Sequence, residues 1–234
     1  IGLIMAGYYA GYIVGTLIVP RLIRNVGHVR CFAAFAAVSA ATSLGFGLLV
    51  NPVVWLILRV VSGVCVVGIY MVVESWLNEQ SAGPSRGRIF SVYMMSTLIA
   101  LGGGQFLLLA GDSSELTLFA LAAILVSLGV VPIAITRVTE PRIDLVHPLK
   151  LSELMRISPL GVVGALSAGV VNGAFWGMAP VFGQRLDLGD GGIAFLMGST
   201  ILGGVILQWP IGHLSDRIDR RTVLILTSFS TAVA

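Results

Sequence analysis

Long apolar runs alternate with short polar intervals along the whole of this 234-residue chain. A bilayer core of about 30 Å requires roughly 20 apolar residues per helix, and eight runs approach that length. The runs comprise residues 1–20, 31–50, 53–77, 89–111, 116–136, 159–182, 191–214 and 222–234. The pattern therefore predicts an all-α membrane protein whose chain crosses the bilayer back and forth.

Basic residues lie almost entirely in every second interval between the runs, and four loops carry twelve of the fourteen. These loops are 21–30 (Arg21, Arg24, Arg30), 78–88 (Arg86, Arg88), 137–158 (Arg137, Arg142, Lys150, Arg156) and 215–221 (Arg217, Arg220, Arg221). The intervening loops contain only Arg185. Because short cytoplasmic loops retain Lys and Arg, the four basic loops are predicted to face the cytoplasm.

Composition leads independently to the same class of protein. The chain is 56% hydrophobic and 11% charged, with a mean hydropathy of +0.97, which leaves too little polar surface for a soluble globule. The pI of about 9.2 follows from the basic loops, so no nucleic-acid partner is expected. Cys31 and Cys65 lie in or beside apolar runs and are interpreted as packing residues. No metal site and no cofactor is expected.

The longest polar interval, residues 137–158, divides five apolar runs from three. We predict an N-terminal helical bundle at 1–136, a cytoplasmic central loop at 137–158 and a C-terminal helical bundle at 159–234. Within the loop, residues 150–157 (KLSELMRI) place apolar side chains at helical spacing. Two interpretations remain open for this segment, a short amphipathic helix on the membrane surface and an ordinary solvated linker.

Three short motifs resemble those of the major facilitator superfamily. Residues 212–221 (GHLSDRIDRR) are similar to its cytoplasmic loop signature, G-x-x-x-D-[RK]-x-G-[RK]-[RK], with Asp219 where the family has Gly. A degenerate copy at residues 20–30 keeps Gly27 and the terminal basic residue but has Arg24 in the place of the aspartate. Residues 58–63 (LRVVSG) resemble the motif of the family's fourth helix.

The resemblance covers the whole chain, as helices two to nine of the twelve in a full member. It implies two pseudo-symmetric helical bundles, incomplete here, and the chain is interpreted as an internal part of a longer protein. Residues 73–76, 86–88 and 208–212 look most like a bacterial inner-membrane branch of largely uncharacterised transporters. The location implied is the inner (plasma) membrane, with several spans.

The resemblance implies a secondary active transporter that moves a small organic solute by alternating access, and we expect proton-coupled efflux. Uptake of a metabolite is the first alternative. An integral-membrane enzyme or a non-transporting receptor is an alternative of a different class, although the three histidines are scattered one to a loop. The partners expected are a small-molecule substrate, protons and the lipid bilayer, and the protein is expected to act as a monomer and not as an enzyme.

Two charged residues are predicted inside or beside the membrane core. An ionised group in hydrocarbon costs at least about 2.5 kcal/mol, so Arg59 is a candidate for proton coupling, the alternative being a side chain that reaches outward to the surface. Glu74 lies about 22 Å further along the same helix and on the same face. We expect Glu74, or the neighbouring Glu79, to pair with Arg24 or Arg30 as part of a cytoplasmic gate. The alternative for Glu74 is a protonation site that takes part in proton coupling.

Substrate contacts are predicted from polar and aromatic residues near the membrane midplane. They are Asn172, Phe175 and Trp176 in the sixth run, Gln105 in the fourth and Tyr12 in the first. The alternative for each is helix packing. In the family the aspartate of the loop signature contacts the start of a helix from the opposite half, which implies that Asp216 approaches the helix start near Arg88. The other residues implied in this contact are Gly27, Arg24, Arg30, Gly212, Arg217 and Arg220.

Overall fold

The computed structural model describes residues 2–80, 86–112, 115–135 and 151–233, without the side chains of residues 86, 87, 209, 212, 215, 216, 220 and 231–233. All regular secondary structure in these ranges is helical. The helices are α1 (Gly2–Val26), α2 (His28–Leu48), α3 (Pro52–Gln80), α4 (Arg86–Gln105), α5 (Leu116–Ile135), α6 (Leu151–Ile157), α7 (Pro159–Arg185), α8 (Gly189–Arg217) and α9 (Arg220–Val233). A short 3-10 helix, Phe106–Ala110, continues α4.

Seven of the helices in the described ranges are long and apolar enough to span a membrane. They are α1, α2, α3, α4 with its 3-10 continuation, α5, α7 and α8. The predicted all-α membrane fold is therefore confirmed. The helix α9 has 14 residues. The short helix expected near residues 150–157 is present as α6, and each of its residues is exposed.

The helices α1 and α3 form the tightest contact of the first half. A side chain at Gly11 would collide with the backbone of Val60, and one at Gly63 would collide with the backbone of Tyr8. Lipid supplies no hydrophobic drive for association, so helices in membranes gain stability from close van der Waals contact between small residues. These glycines therefore set both the spacing of the two helices and the directions in which their other faces point.

A single residue, Gly27, separates α1 from α2 at a φ of 95°, which favours glycine. The next residue, His28, is buried, and its Nε2 lies 3.0 Å from the Ser75 hydroxyl of α3. The Ser75 hydroxyl also lies 3.1 Å from the Val72 carbonyl oxygen, to which it donates a hydrogen bond. The core around this point includes Val19, Ile23, Cys31, Phe35, Cys65 and Val72, which confirms both cysteines as packing residues.

We name the two ends of the bundle by their charge. The basic end comprises the helix ends next to the four basic loops, and the acidic end comprises those next to residues 51–52, 111–115 and 183–190. Contacts between the two halves are found at the acidic end, where α4 and the 3-10 helix pack on α8. Side chains of α8 are buried there at Ile193, Ala194, Met197 and Ile201. From Gln208 to Arg217 every described side chain of α8 is exposed.

Candidate functional site

Arg59 lies inside the membrane-spanning part of α3 and faces aromatic rings. Its guanidinium carbon is 5.2 Å from the ring centroid of Phe46 in α2, a cation–π contact. Trp55 fixes this part of α2, because its indole Nε1 donates to the Phe46 carbonyl oxygen at 3.1 Å. The Nε of Arg59 is buried and has no hydrogen-bond partner. Arg59 thus has a desolvated donor and no carboxylate partner among the described residues.

Tyrosines of α1 continue the polar surface from Arg59. Tyr8 interacts electrostatically with Arg59. The centroid of its ring is 6.2 Å from that of Tyr12 and 5.3 Å from that of Tyr9. The Tyr9 hydroxyl donates to the carbonyl oxygen of Gly173 in α7. Tyr12 is half-buried. The stripe of tyrosines therefore runs from the intramembrane arginine toward the basic end and touches the second half of the chain.

Glu74 lies toward the basic end of α3 among tyrosine hydroxyls from three helices. It interacts electrostatically with Tyr12 of α1, and it forms a side-chain hydrogen bond with Tyr93 of α4. Tyr70, which also belongs to α3, interacts electrostatically with both Tyr12 and Tyr93. A cavity of about 450 Å³ lies beside the carboxylate, lined by Met71, Glu74, Ser75, Asn78 and Phe90.

The expected gate pair is not found among the described residues, and it stays a prediction. Within the described ranges, neither Glu74 nor Glu79 forms an ion pair with a basic residue of the α1–α2 junction. The physical reason is that helix extends to Val26 and resumes at His28, so no flexible loop carries Arg24 and Arg30 toward α3. Both arginines are exposed, and the junction reaches α3 through His28 instead.

The predicted substrate contacts do not converge on one point. The Asn172 amide donates to the Ala168 carbonyl oxygen of its own helix at 2.9 Å, and the Gln105 amide donates to that of Leu101 at 3.3 Å. Phe175 and Trp176 are half-buried and pack edge to face, with ring centroids 5.5 Å apart. Tyr12 lies in the other cluster, beside Glu74.

Sequence reasoning missed two residues of the Glu74 cluster. Tyr70 precedes Glu74 by one helical turn and therefore shares its face, so the spacing could have identified it. Tyr93 lies on a different helix, and nothing in the sequence links it to Glu74. A second cavity, of about 520 Å³, lies between α1 and α7 and is almost wholly apolar; Tyr9, Gly173 and Met178 are among its lining residues.

The sequence profile of the Major Facilitator Superfamily matches residues 1–234. The chain belongs to the major facilitator superfamily. It is similar to the "Uncharacterized MFS-type transporter YcaD" of Escherichia fergusonii, with 29% identity over 226 residues, and to the proteins of that name from Salmonella enteritidis PT4 (28%) and Salmonella arizonae (27%). Each alignment covers 96% of the chain and 59% of the relative. No solved structure gives a significant match.

Membership of the major facilitator superfamily agrees with the seven spans and makes the chain a multi-pass inner-membrane protein. The superfamily's loop signature, residues 212–221, spans the end of α8 and the start of α9. Asp219, which replaces the usual glycine, has no positive φ. It directly precedes α9, and its carbonyl oxygen accepts from the Thr222 amide in the first turn of that helix at 2.9 Å. Its carboxylate also accepts from the Arg221 amide at 3.4 Å. The substitution therefore exchanges a flexible turn for a helix cap.

The remaining residues of the predicted interdomain contact are only partly described. Arg88 and Arg217 are exposed at the basic end. The structure does not describe the side chains of Asp216 and Arg220 or the environment of Gly212. The contact itself therefore stays a prediction. Gly27 holds the α1–α2 junction at its positive φ.

Proposed function

We propose that the protein is a secondary active transporter that moves a small organic solute across the inner membrane by alternating access. The observation that carries this proposal is the one-sided contact between its halves. The two halves meet at the acidic end, whereas the described side chains of α8 toward the basic end are exposed. A transporter of this kind rocks its halves about a site near the midplane, closing one side while the other is open.

Three contacts show how closely the acidic end is packed. A methyl group at Gly198 of α8 would lie 3.3 Å from the Phe106 ring, one at Gly191 would lie 3.7 Å from Leu109, and one at Gly102 would lie 3.5 Å from Ile201. Small residues on both helices allow this approach. If the basic loops are cytoplasmic, as their charge predicts, the conformation is inward-facing.

Proton coupling is the second part of the proposal. Arg59 has a buried, unpartnered Nε, and Glu74 interacts with Tyr12 and Tyr93. Ionisable groups inside a membrane protein are costly and are commonly retained for ion or substrate pathways. We infer that these two residues couple proton movement to the rocking of the halves, with the tyrosines of α1 between them.

For the solute itself we retain the residues predicted from the sequence. Phe175 and Trp176 would supply an aromatic wall, and Tyr12, Asn172 and Gln105 would supply polar contacts. Efflux is the proposed direction, with uptake as the alternative. The protein is proposed to act as a monomer, and transport in place of catalysis agrees with the family and with the names of its relatives.

The transport proposal is tested first by ligand binding and then by solute exchange. Thermal unfolding of the purified protein is screened against antibiotics, sugars, amino acids and organic acids, because a ligand of the native state raises the melting temperature. Each ligand found is then tested for exchange in proteoliposomes. We expect at least one to exchange, and expect a proton gradient to drive its accumulation. Arg59→Gln should abolish the driven accumulation but not the exchange, whereas the exposed Arg185→Gln should change neither.

The direction of transport is decided with membrane vesicles of known orientation. Efflux predicts that energised inside-out vesicles accumulate the solute, and uptake predicts accumulation by right-side-out vesicles driven by an inward proton gradient. If none of the ligands that raise the melting temperature exchanges across the membrane, the transport proposal is wrong, and a receptor or an enzyme becomes the better account of the binding.

A further inference from the structure

We propose that the cavity beside Glu74 is a binding site for a small amphipathic organic cation. The inference rests on the proposed transport function and names the class of its solute. The cavity lies between α3 and α4 toward the basic end, and its volume of about 450 Å³ lies within the usual range of small-molecule sites.

The carboxylate of Glu74 determines the sign of the ligand's charge. Within the described ranges Glu74 forms no ion pair; it forms a side-chain hydrogen bond with Tyr93 and interacts electrostatically with Tyr12. An ionised carboxylate only accepts hydrogen bonds and has room for about four, so the Tyr93 hydroxyl leaves acceptor capacity unused. A cation is the ligand that completes such a site, because an exposed carboxylate at the edge of a cavity attracts a positive charge. Arg88, close in sequence to Phe90 on α4, is exposed and does not fill this role.

The other lining residues determine the chemical type of the cation. Phe90 and Met71 form an apolar wall, with Phe90 packed edge to face against Tyr93 at 6.4 Å between ring centroids. An aromatic ring attracts an organic cation through its π face, and a thioether adapts to irregular shapes. Ser75 and Asn78 add polar groups on one side. A single carboxylate does not supply the six or more oxygen ligands of a hard metal ion, so the cavity favours an organic ligand.

Access to the cavity agrees with the conformation of the protein. The two halves are in contact at the acidic end, and Glu74 lies toward the opposite end with an exposed side chain. A cation would therefore enter from the basic end. The tyrosine stripe of α1 leads from this cavity toward Arg59, whose positive charge would repel a cation that moved further along the stripe.

The experiment uses a fluorescent styryl N-methylpyridinium dye as the cationic probe. Its analogue without the N-methyl group is neutral at alkaline pH and serves as the control ligand. Binding to the purified protein in lipid nanodiscs is measured for wild type, Glu74→Gln and Glu79→Gln. Glu79 is exposed on the same helix, outside the cavity, and is the matched control variant.

We expect Glu74→Gln to weaken binding of the cationic dye by about tenfold or more, because a charge-assisted contact is lost. Glu79→Gln should leave it unchanged, and the neutral analogue should bind all three proteins alike. Phe90→Leu should weaken binding of the cationic dye by about threefold, because the cation–π contact is lost. Equal binding of the cationic dye to wild type and Glu74→Gln, with both proteins folded, would overturn the proposal.

Two further experiments test whether a lipid occupies the cavity and whether the protein transports the dye. Nanodiscs with and without phosphatidylethanolamine test whether a lipid ammonium group is the occupant; if that lipid displaces the dye from wild type, the free-solute assignment is wrong. Dye exchange in proteoliposomes tests the transport proposal separately. Binding without exchange would leave the site standing and refute transport, whereas exchange that Glu74→Gln leaves intact would refute the site and leave transport standing.

Discussion

The hydroxyl of Tyr9 donates a hydrogen bond to the carbonyl oxygen of Gly173, 3.4 Å away, and joins α1 of the first half to α7 of the second. The bond lies beside the apolar cavity between these helices. It crosses the plane about which the halves must move if the protein works by alternating access. If so, we expect the bond to belong to one conformation and to break on the way to the other.

Tyr9→Phe is expected to shift the conformational equilibrium away from the state closed at the acidic end. The variant keeps the ring and loses a bond worth about 0.6 kcal/mol, so the ratio of states should change by about threefold. Ala194→Cys is the reporter, because Ala194 is fully buried at the acidic end in this state. Its rate of labelling by a water-soluble maleimide should rise in the Tyr9→Phe background. An unchanged rate would mean that the bond has no influence on the equilibrium.

Gly63→Ala is expected to destabilise the first half by about 1–3 kcal/mol or more, because the added methyl group meets the backbone of Tyr8 and cannot be accommodated without moving α1. Gly164→Ala, also within a helix, is the control, since nothing lies within 4 Å of its added methyl group. The control should be neutral or slightly stabilising, as Ala favours helix over Gly. Thermal unfolding in detergent measures both. Equal melting temperatures would contradict the packing described for α1 and α3.

The spans could be predicted from the sequence because the bilayer imposes one length on every helix that crosses it. The bounds differ mainly at their polar ends. The helix α3 continues to Gln80, beyond the apolar run, because the carbonyl groups left without a partner at a helix end can accept hydrogen bonds from water once the end projects beyond the membrane. In the fourth span, α4 passes into a 3-10 helix after three consecutive glycines, which are weak helix formers.

The side-chain partners of the charged residues could not be predicted. Hydropathy gives the depth of Arg59 and Glu74 but not the rotation of α3 about its axis. That rotation follows from the contact of Gly11 and Gly63 between α1 and α3, which directs Arg59 toward Phe46 and Glu74 toward Tyr93. The gate between Glu74 or Glu79 and Arg24 or Arg30 was inferred from charge alone, and it stays a prediction.

The orientation of the chain can be tested with two cysteines at opposite ends. Asn25 is exposed at the basic end and Leu186 at the acidic end, and the native Cys31 and Cys65 are only 1% and 2% exposed, which limits background labelling. In intact cells an impermeant maleimide should label Leu186→Cys and not Asn25→Cys, and inside-out vesicles should show the reverse. Labelling of Asn25→Cys from outside the cell would show that the basic loops are not cytoplasmic.

Asp216→Asn is expected to act in the direction opposite to Tyr9→Phe. We predict that the Asp216 carboxylate approaches the first turn of α4, around residues 87–89, when the halves close at the basic end. The start of a helix offers unpaired N–H groups and a positive dipole to an anion, and Arg88 is exposed beside it. The contact is worth about 1 kcal/mol, and the variant keeps the shape of the side chain while removing its charge.

Because this contact forms only in the state open at the acidic end, its loss should lower labelling of Ala194→Cys by about fivefold. The Tyr9–Gly173 bond belongs to the opposite state and is distant in sequence from Asp216, so the two effects should add. The double variant should therefore label at an intermediate rate. Asp219→Asn is the control, since an amide oxygen can still cap α9 and the helix-start contact does not involve it. If Ala194→Cys is labelled at the same rate in the Asp216→Asn and Asp219→Asn backgrounds, Asp216 is a solvated loop charge and does not stabilise the state open at the acidic end.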